Sequence, residues 1–336
     1  MQQPSPYLMA QLSIRAEELC ARHPPKFACS RKRLLHELAC PADVPHQGVL
    51  HFSRWQERNL PELLDWNEQS PRLRIVPGFY RYDSDDSEKE EIHWHVNFAD
   101  PNLFFGYGSS LFAQDEVQVA EHPALASLRE ALLAQGLPAR TEEGGRATPV
   151  LIMGVERRCQ VATEPDIMAG RPAGLYGRAF ASASDAVIRR ALTSFARPSK
   201  TNIVAMAAPP PGRGKYEAPT IRRVLVTAYS AFSAALELAQ GSSGAVRRTV
   251  IHTGHWGCGA FGGNRVLMAK LQMLAARLAG VAEVHFHAGA GPGLLAAEDA
   301  TRGIDEAPGT GTVVSVEGVI RRLAAADYSW GVSDGN

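Results

Sequence analysis

The chain has 336 residues, enough for one large domain or two smaller ones with a substantial buried core. Hydrophobic residues make up 45% and charged residues 21% of it, which is typical of globular proteins and unlike disordered chains. Lysine and arginine together number 35, as do aspartate and glutamate, so no overall field attracts nucleic acid or an anionic membrane. An anionic ligand must therefore be held by local geometry.

The cysteines and the first residues indicate the cellular compartment. The five cysteines are odd in number, and their spacing fits neither a disulfide framework nor a zinc site, which indicates a reducing environment. The initial sequence, MQQPSPYLMAQLS, lacks the basic segment and apolar core of a signal peptide. No apolar run approaches the roughly 20 residues needed to span a bilayer. We expect a cytoplasmic protein without membrane contact, unless a route that needs no classical signal exports it.

Residues 1–90 are expected to form a helical accessory region. Leucine and isoleucine recur at helical spacing over 10–40, interrupted by Pro24-Pro25, and a second helical segment is predicted from Leu60 to Trp66. The acidic and serine-rich run at 83–91 is interpreted as a solvated loop. The common role of such helices is to cover a sheet edge.

Residues 91–300 show strands alternating with helices. The predicted strands are HWHVNF from His93, Pro149–Val155, Asn202–Ala207, Thr249–Thr253 and Val284–His287. The predicted helices are His122–Gln135, Ser182–Ala196, Ile221–Ala239 and Asn264–Leu278. This alternation predicts an α/β fold with a mixed, mostly parallel sheet covered on both faces. Residues 301–336 are expected to add a helix at Val316–Ala325 and a tail.

The most informative segment is TGHWGCGAFGG, Thr253–Gly263, between a predicted strand and a predicted helix. Its glycines allow backbone geometries barred to other residues and a close approach of a ligand. A glycine-rich loop that leads into a helix presents N–H groups and a positive dipole end to a phosphate. The segment matches neither GxxxxGK[ST] nor GxGxxG. A tight turn with buried Trp256 and Phe261 is the alternative, and composition alone leaves both interpretations open.

A second segment, Val96–Val117, runs from a strand through Gly106 and Gly108 to Gln114-Asp115-Glu116. Adjacent carboxylates behind a strand can do acid–base chemistry when burial raises a pKa. The competing interpretation is an exposed helix N-terminus, where the dipole favours acidic residues. Taken alone, the segment favours that second interpretation.

The two segments together resemble the poly(ADP-ribose) glycohydrolase family. TGHWGCGAFGG is similar to the family's phosphate loop, TGNWGCGAFGGD. Phe104-Phe105-Gly106, followed by seven residues and Gln114-Asp115-Glu116, is similar to the family's triple glycine and QEE. VNFAD resembles VDFAN, and weaker similarities follow the family's order, at HFSR, 202–208 and 221–232. The resemblance implies a macrodomain-like three-layer α/β/α sandwich.

The resemblance also implies roles for individual residues. Glu116 aligns with the general acid that protonates the leaving oxygen at C1″ of ADP-ribose, and Asp115 replaces a glutamate that positions ribose hydroxyls. The implied ligand contacts, spread over the two loops and the adenine site, are Asn97, Phe98, Phe105, Gly106, Gln114, Tyr176, His255, Gly257, Cys258, Gly259, Ala260 and Phe261. Tyr176 is the implied stacking partner of the adenine.

No cofactor or metal is implied. His93 and His95 alternate on a predicted strand, as do His285 and His287, so each pair shares a face and forms half of a possible metal site. We interpret both pairs as structural, because no third ligand stands at a suitable spacing.

Besides the aspartate at 115, the sequence departs from the family at three places. Phe104-Phe105 replaces two glycines, so the loop must take other dihedral angles or its phenyl rings must point away from the ligand. His255 replaces an asparagine and introduces a ring that ordinarily titrates near neutrality. Asn264 replaces an aspartate. These changes bear more on cleavage of a polymer than on binding of ADP-ribose.

Three hypotheses remain open. The leading one is a hydrolase that acts on poly- or mono-ADP-ribosylated substrates, where the acceptor is a ribose, a protein side chain or a nucleic-acid end. The alternative is a non-catalytic reader of ADP-ribose, and a third is hydrolysis of another nucleotide diphosphate sugar. Nucleic-acid binding as the primary role is disfavoured, because no basic stripe is interleaved with aromatic residues.

Overall fold

The centre of the fold is a mixed eight-stranded sheet. The structure is a computed structural model that describes residues 5–66, 70–80, 82, 91–240, 247–302 and 313–333. The strands in these ranges are β1 (Leu8–Arg15), β2 (Val49–Trp55), β3 (Leu63–Asp65), β4 (Arg72–Val76), β5 (Glu91–Ala99), β6 (Glu142–Glu143), β7 (Arg146–Ala147), β8 (Val150–Val161), β9 (Leu192–Ala207), β10 (Arg248–Gly254), β11 (Glu283–His287) and β12 (Val313–Ser315). The order across the sheet is β1-β2-β8-β9-β5-β10-β11-β4. Strands β9, β5, β10, β11 and β4 run parallel, and β8, β2 and β1 continue the sheet in antiparallel pairs.

Helices cover both faces of this sheet. They are α1 (Ala16–Arg22), α2 (Ser30–Ala39), α3 (Gln114–Glu121), α4 (Ala124–Ala134), α5 (Arg178–Ser182), α6 (Asp185–Ala191), α7 (Ala218–Ala239), α8 (Arg265–Ala279), α9 (Pro292–Arg302) and α10 (Val316–Ala325). On one face α7, α8 and α10 bury a cluster that includes Trp94 and Phe232. On the other face α1 and α4 pack over β8 and β9 around Leu19 and Leu128. The predicted mixed, mostly parallel sheet between helical layers is confirmed.

A smaller cluster lies beside α3 and joins α2 to α5 and α6. Its buried members include Leu35, Phe112, Phe180 and Ile188. The rings of Phe112 and Phe180 stack with centroids 4.0 Å apart. This cluster brings α2 against the segment that precedes α3, although the two are far apart in the sequence.

The first 90 residues differ from the helical accessory region expected of them. Two helices are present, but β1, β2 and β4 belong to the central sheet, and the predicted helix at Leu60–Trp66 contains strand β3, paired with β12. In β1 the side chains alternate between half-buried and exposed, so Leu12 and Ile14 share one face at a spacing of two. The acidic run at 83–90 lies outside the described residues, and Glu91 begins β5.

The predicted elements of residues 91–300 are present with one exception. The five predicted strands correspond to β5, β8, β9, β10 and β11. The predicted helix Ser182–Ala196 is wrong at its end, because α6 stops at Ala191 and Leu192 begins β9 opposite Val161. The C-terminal helix is present as α10. No helix of the described residues is long and apolar enough to cross a membrane.

Candidate active site

Two loops leave neighbouring parallel strands at the same edge of the sheet. Strand β5 ends at Ala99 and β10 ends at Gly254, and His95 lies opposite His252 in their register. Ligands of open α/β sheets bind beyond the carboxyl ends of such strands. The structure therefore brings together the two segments on which the family resemblance depends.

The loop after β5 accommodates its two phenylalanines in different ways. Phe104 has a φ of 54°, in the left-handed region that glycine adopts without strain, and its ring is fully buried. Phe105 is 61% exposed, with its ring 5.9 Å from the guanidinium of Arg129. Neither ring displaces Gly106, the glycine that aligns with the last of the family's three.

Gly106 packs directly against the side chain of Glu116. A Cβ at position 106 would overlap Oε1 of Glu116, so only glycine leaves room for this carboxylate. The other oxygen, Oε2, accepts a hydrogen bond from the N–H of Ala113 at 2.8 Å, at the start of α3. Glu116 is 7% exposed. Both of its oxygens are thus held against the loop after β5.

Asp115 is buried beside Glu116 and faces β5. Its Oδ1 accepts a hydrogen bond from Nδ2 of Asn97 at 3.0 Å. Burial and the adjacent Glu116 carboxylate raise the pKa of Asp115 to about 8, although the Asn97 hydrogen bond and Lys32 lower it. These surroundings therefore favour the protonated form of Asp115.

Asn97 belongs to this carboxylate network. It is fully buried, and its Nδ2 also donates to Oε1 of Gln118 at 2.9 Å. The resemblance implies that Asn97 lies near the adenine of a ligand, and in this structure its amide donates to Asp115. Sequence analysis missed Gln118, which carries no motif signal.

Gln114 links the start of α3 to the end of β5. Its Oε1 accepts from the N–H of Phe98 at 2.8 Å, and its Nε2 donates to the carbonyl of Val96 at 3.1 Å. The hydroxyl of Tyr176 accepts from the backbone N–H of Gln114 at 3.1 Å. Tyr176 therefore lies at the start of the helix that carries the acidic pair, whereas the resemblance placed it on the adenine.

The glycine-rich loop after β10 is anchored by buried side chains. Trp256 is buried and its Nε1 donates to the carbonyl of Met206 at 3.0 Å. Gly257 has a φ of 74°, and a Cβ there would lie 2.7 Å from Cβ of Ala208. Burial raises the pKa of the Cys258 thiol to about 12, so this thiol stays protonated.

Three consecutive amides of this loop are available to an anion. Among the hydrogen bonds of the described residues, the N–H groups of Gly259, Ala260 and Phe261 find no protein acceptor. Helix α8 begins shortly afterwards at Arg265, where Asn264 caps it by accepting from the N–H of Leu267 at 3.1 Å. Free amides before a helix N-terminus form the arrangement that binds phosphate.

His255, in the same loop, contacts α9 and β11. Its Nε2 donates to the carbonyl of Gly293 at 3.0 Å, and its ring packs edge-on against Phe286. Burial lowers the pKa of His255, which favours the neutral ring. The structure gives His255 a role in fixing the loop to the first turn of α9.

Two supports of the loops were missing from the sequence analysis. Lys32 of α2 is 2% exposed, and its Nζ donates to the carbonyl of Tyr107 at 3.1 Å. In the C-terminal tail, Gly331 donates its N–H to the carbonyl of Gly262 at 2.7 Å. Both lie far in sequence from the loops they support, so no local pattern could have indicated them.

The histidines of the central strands form a hydrogen-bonded row. Nδ1 of His93 and Nε2 of His252 are 2.9 Å apart, and Nδ1 of His252 and Nε2 of His287 are 3.1 Å apart. His95 stacks on His252 with ring centroids 4.2 Å apart. In the described part of the chain, no three His, Cys, Asp or Glu side chains are arranged to hold a metal ion.

Comparison with known proteins identifies the family of this chain. A family model described as poly(ADP-ribose) glycohydrolase (PARG), macro domain fold, matches residues 65–290, and none of the curated proteins matches significantly. The chain is similar to the solved PARG of Thermomonospora curvata, with 16% identity over 87% of this chain and 85% of that one and a TM-score of 0.41. It is also similar to the PARG of Deinococcus radiodurans in complex with ADP-ribose, with 13% identity over 88% of this chain and 95% of that one and a TM-score of 0.44. Because the family model spans more than half of its length, the chain belongs to the poly(ADP-ribose) glycohydrolase family of glycosidases and has the macrodomain fold of that family.

Proposed function

We propose that this protein hydrolyses the glycosidic bond at C1″ of ADP-ribose in poly- or mono-ADP-ribosylated substrates, with Glu116 as general acid. The observation that carries the proposal is the buried Asp115–Glu116 pair at the edge of the sheet where the free amides also lie. Family membership supports the reaction class, and the geometry supports the residue assignment. The acceptor is a ribose of the polymer, a protein side chain or a nucleic-acid end.

In this mechanism the two loops hold opposite parts of the ligand. The diphosphate accepts hydrogen bonds from Gly259, Ala260 and Phe261, favoured by the positive end of α8. The distal ribose then lies towards the start of α3, with its hydroxyls donating to Asp115. In this arrangement backbone N–H groups bind the phosphates without a charged side chain. The chain, whose net charge is zero, provides no overall attraction to an anion.

The shared proton explains how a buried pair supplies an acid. Ribose hydroxyls that donate to Asp115 favour its ionised form, so the proton held by the pair lies on Glu116 in the complex. Glu116 gives this proton to the leaving oxygen as the C1″–O bond breaks, and the electron pair of that bond stays on the oxygen. Water attacks the oxocarbenium carbon and loses its proton to the Glu116 carboxylate.

Replacement of the acid by its amide tests the assignment. Glu116→Gln keeps the shape and the hydrogen bond from Ala113 but has no proton to give, so kcat is expected to fall by about 10²- to 10⁴-fold. The Kd for ADP-ribose, measured by calorimetry, should stay within about tenfold of the wild type. Glu37→Gln, at an exposed position of α2, is the control with wild-type turnover. Unchanged turnover in Glu116→Gln would remove Glu116 from this role.

A non-catalytic ADP-ribose reader is the alternative function. The specific observation in its favour is the near-complete burial of both carboxylates, which limits access of a substrate. Release assays on polymer and on mono-ADP-ribosylated protein, run beside calorimetry, separate the two functions. Tight binding of ADP-ribose without release from either substrate would favour the reader.

The proposal includes a cytoplasmic location for the protein. All five cysteines are free thiols, which supports a reducing compartment such as the cytoplasm.

A further inference from the structure

Lys32 is a buried cation that the mechanism so far does not use. It is 2% exposed, whereas lysine is rarely buried to this extent without a partner. It also lies in the first turn of α2, where the positive end of the helix dipole disfavours a cation. Burial and helix position both oppose the ammonium charge, so its surroundings must offset them.

The surroundings of the ammonium group lead to the loop that holds the acid. Nζ of Lys32 donates to the carbonyl of Tyr107 at 3.1 Å and lies 5.2 Å from the ring centroid of Phe112. Tyr107 follows Gly106, the residue that packs against Oε1 of Glu116. The ammonium is thus hydrogen-bonded to the same loop that packs against Glu116.

Lys32 also lies near the segment that binds the second oxygen of Glu116, Oε2. Phe112 precedes Ala113, whose N–H donates to Oε2 of Glu116 at 2.8 Å. The ring of Phe180 closes the far side, with its centroid 5.8 Å from Nζ of Lys32. Aromatic faces and one carbonyl leave the ammonium no water shell, so its attraction to nearby carboxylates is little screened.

The charges around Lys32 are those of the acidic pair. The nearby negative charges that act on it are Glu116 and Asp115 of α3, and Cys29, the residue before α2, contributes less. Burial lowers the pKa of Lys32 to about 8, while the two carboxylates raise it. Beyond the pair, Asp100 acts on Asp115 from the loop after β5, and His36 lines the same small cavity as Lys32 one turn along α2.

We propose that Lys32 is a positioning residue, whose ammonium holds the loop at Tyr107 and is the counter-charge to the buried carboxylates of Asp115 and Glu116. The effect on turnover rests on the proposed function, whereas the counter-charge itself is a property of the fold. When Glu116 gives up its proton the pair carries two negative charges, and the ammonium stabilises that state. An uncharged side chain of equal length would fill the space without this effect.

A titration of Asp115 tests the counter-charge without any need for turnover. The carboxyl carbon of Asp115, assigned with Asp115→Asn, is followed by NMR across the pH range in full-length protein. Loss of a nearby positive charge raises the pKa of a carboxyl group, so the Asp115 midpoint in Lys32→Met should rise by at least about one pH unit. Lys32→Arg keeps the charge and should keep the midpoint. Lys26→Met is the matched control, because Lys26 contacts Tyr107 by its backbone but its exposed ammonium pairs with Glu130.

Kinetics then test the consequence for the reaction. In Lys32→Met the alkaline limb of the kcat–pH profile should shift to higher pH together with the Asp115 midpoint. At neutral pH, kcat should fall at least about tenfold. KM should stay within about threefold, because Lys32 does not touch the ligand. Lys32→Arg should restore the profile, which a purely structural role would not require.

The outcomes separate this inference from the proposed function. An Asp115 midpoint that is the same in wild type, Lys32→Met and Lys26→Met overturns the role of Lys32, whatever the turnover. Absence of turnover in the wild type on every ADP-ribosyl substrate contradicts the proposed hydrolysis and leaves the titration result standing.

Wild-type protein provides a second measurement if Lys32→Met does not fold. The chain contains six lysines, so the side-chain carbon of Lys32 can be assigned with Lys32→Arg. Its midpoint is expected at about 8 and should fall in Asp115→Asn, which removes one of its counter-charges. The proposal is overturned if the Lys32 midpoint lies above about 10 and is the same in Asp115→Asn as in the wild type.

Discussion

At the scale of single residues, the loop between β5 and α3 shows two ways to replace glycine by phenylalanine. The left-handed backbone of Phe104 costs about 1–3 kcal/mol. Truncation of its fully buried ring would cost about 3–5 kcal/mol, so packing outweighs the strain. Phe105 instead turns its ring to solvent beside Arg129. Phe104 thus takes a backbone conformation that glycine favours and buries its ring, whereas Phe105 leaves its ring exposed.

Gly106 has no such freedom, because a methyl group there would overlap the Glu116 carboxylate. Gly106→Ala is expected to displace the acid or the loop and lower kcat by about 10²-fold, since small misplacements of catalytic groups have effects of this size. The Kd for ADP-ribose, measured by calorimetry, should change little. Gly318→Ala, inside α10, has room for the methyl group and is the control. Wild-type kcat in Gly106→Ala would show that the close packing of Gly106 on Glu116 is unimportant.

At the scale of elements, sequence patterns predicted what local spacing determines. The buried parallel strands and the loop–helix unit at Thr253–Gly263 were found because their apolar runs and glycines are contiguous. β1 was mistaken for helix. Helix α1 begins directly after β1, so the apolar residues of the strand and of the helix were taken as one helical pattern. The acidic pair was found by its motif, but the hydrogen bond from Asn97 to Asp115 and the position of Lys32 were not, because side-chain pairing across elements leaves no trace in local sequence.

The C-terminal tail is an element whose role only the structure reveals. The ring of Trp330 stacks on Tyr216 with centroids 4.2 Å apart, and the backbone N–H of Trp330 donates to the carbonyl of Gly214 at 2.8 Å. The next residue, Gly331, donates to Gly262 at the end of the glycine-rich loop. The tail therefore fixes this loop from behind.

Removal of the Trp330 ring should loosen that support. In Trp330→Ala we expect the Kd for ADP-ribose to rise by about three- to tenfold, because ligand binding must then order the loop. Val332→Ala, in the same tail but 92% exposed, should bind as the wild type does. Calorimetry measures both. Equal affinity in Trp330→Ala and the wild type would mean that the tail only covers the surface.

At the scale of the whole molecule, the buried histidines link stability to pH. Burial lowers the pKa of His95 and His252 well below the ordinary value, and that of His122 to about 3. A group whose pKa is lower in the folded state contributes stability above its unfolded value of about 6.5, and this stability is lost as the pH falls. The raised pKa of Asp115 acts in the opposite sense, because its contribution is lost as the pH rises towards about 8.

His95 gives the clearest test, because neither ring nitrogen has a hydrogen-bond partner among the described residues. The free energy of unfolding of the wild type should fall between pH 7.5 and pH 5, and His95→Phe should reduce that fall by up to about 2 kcal/mol. Urea unfolding at both pH values measures the difference. His51→Asn, at an exposed position, should behave as the wild type does. An identical fall in His95→Phe would show that His95 is not part of the acid sensitivity.

The supports of the site lie outside the part of the chain that identifies the family. The family model covers residues 65–290, whereas Lys32 precedes that stretch and Trp330 follows it. A protein trimmed to the matched stretch would keep both motifs yet lose the cation behind one loop and the brace behind the other. It would also expose the backbone of β8 as an unpaired edge, which invites aggregation. We therefore expect the folded, active unit to extend beyond residues 65–290 and to include the segments that precede and follow this stretch.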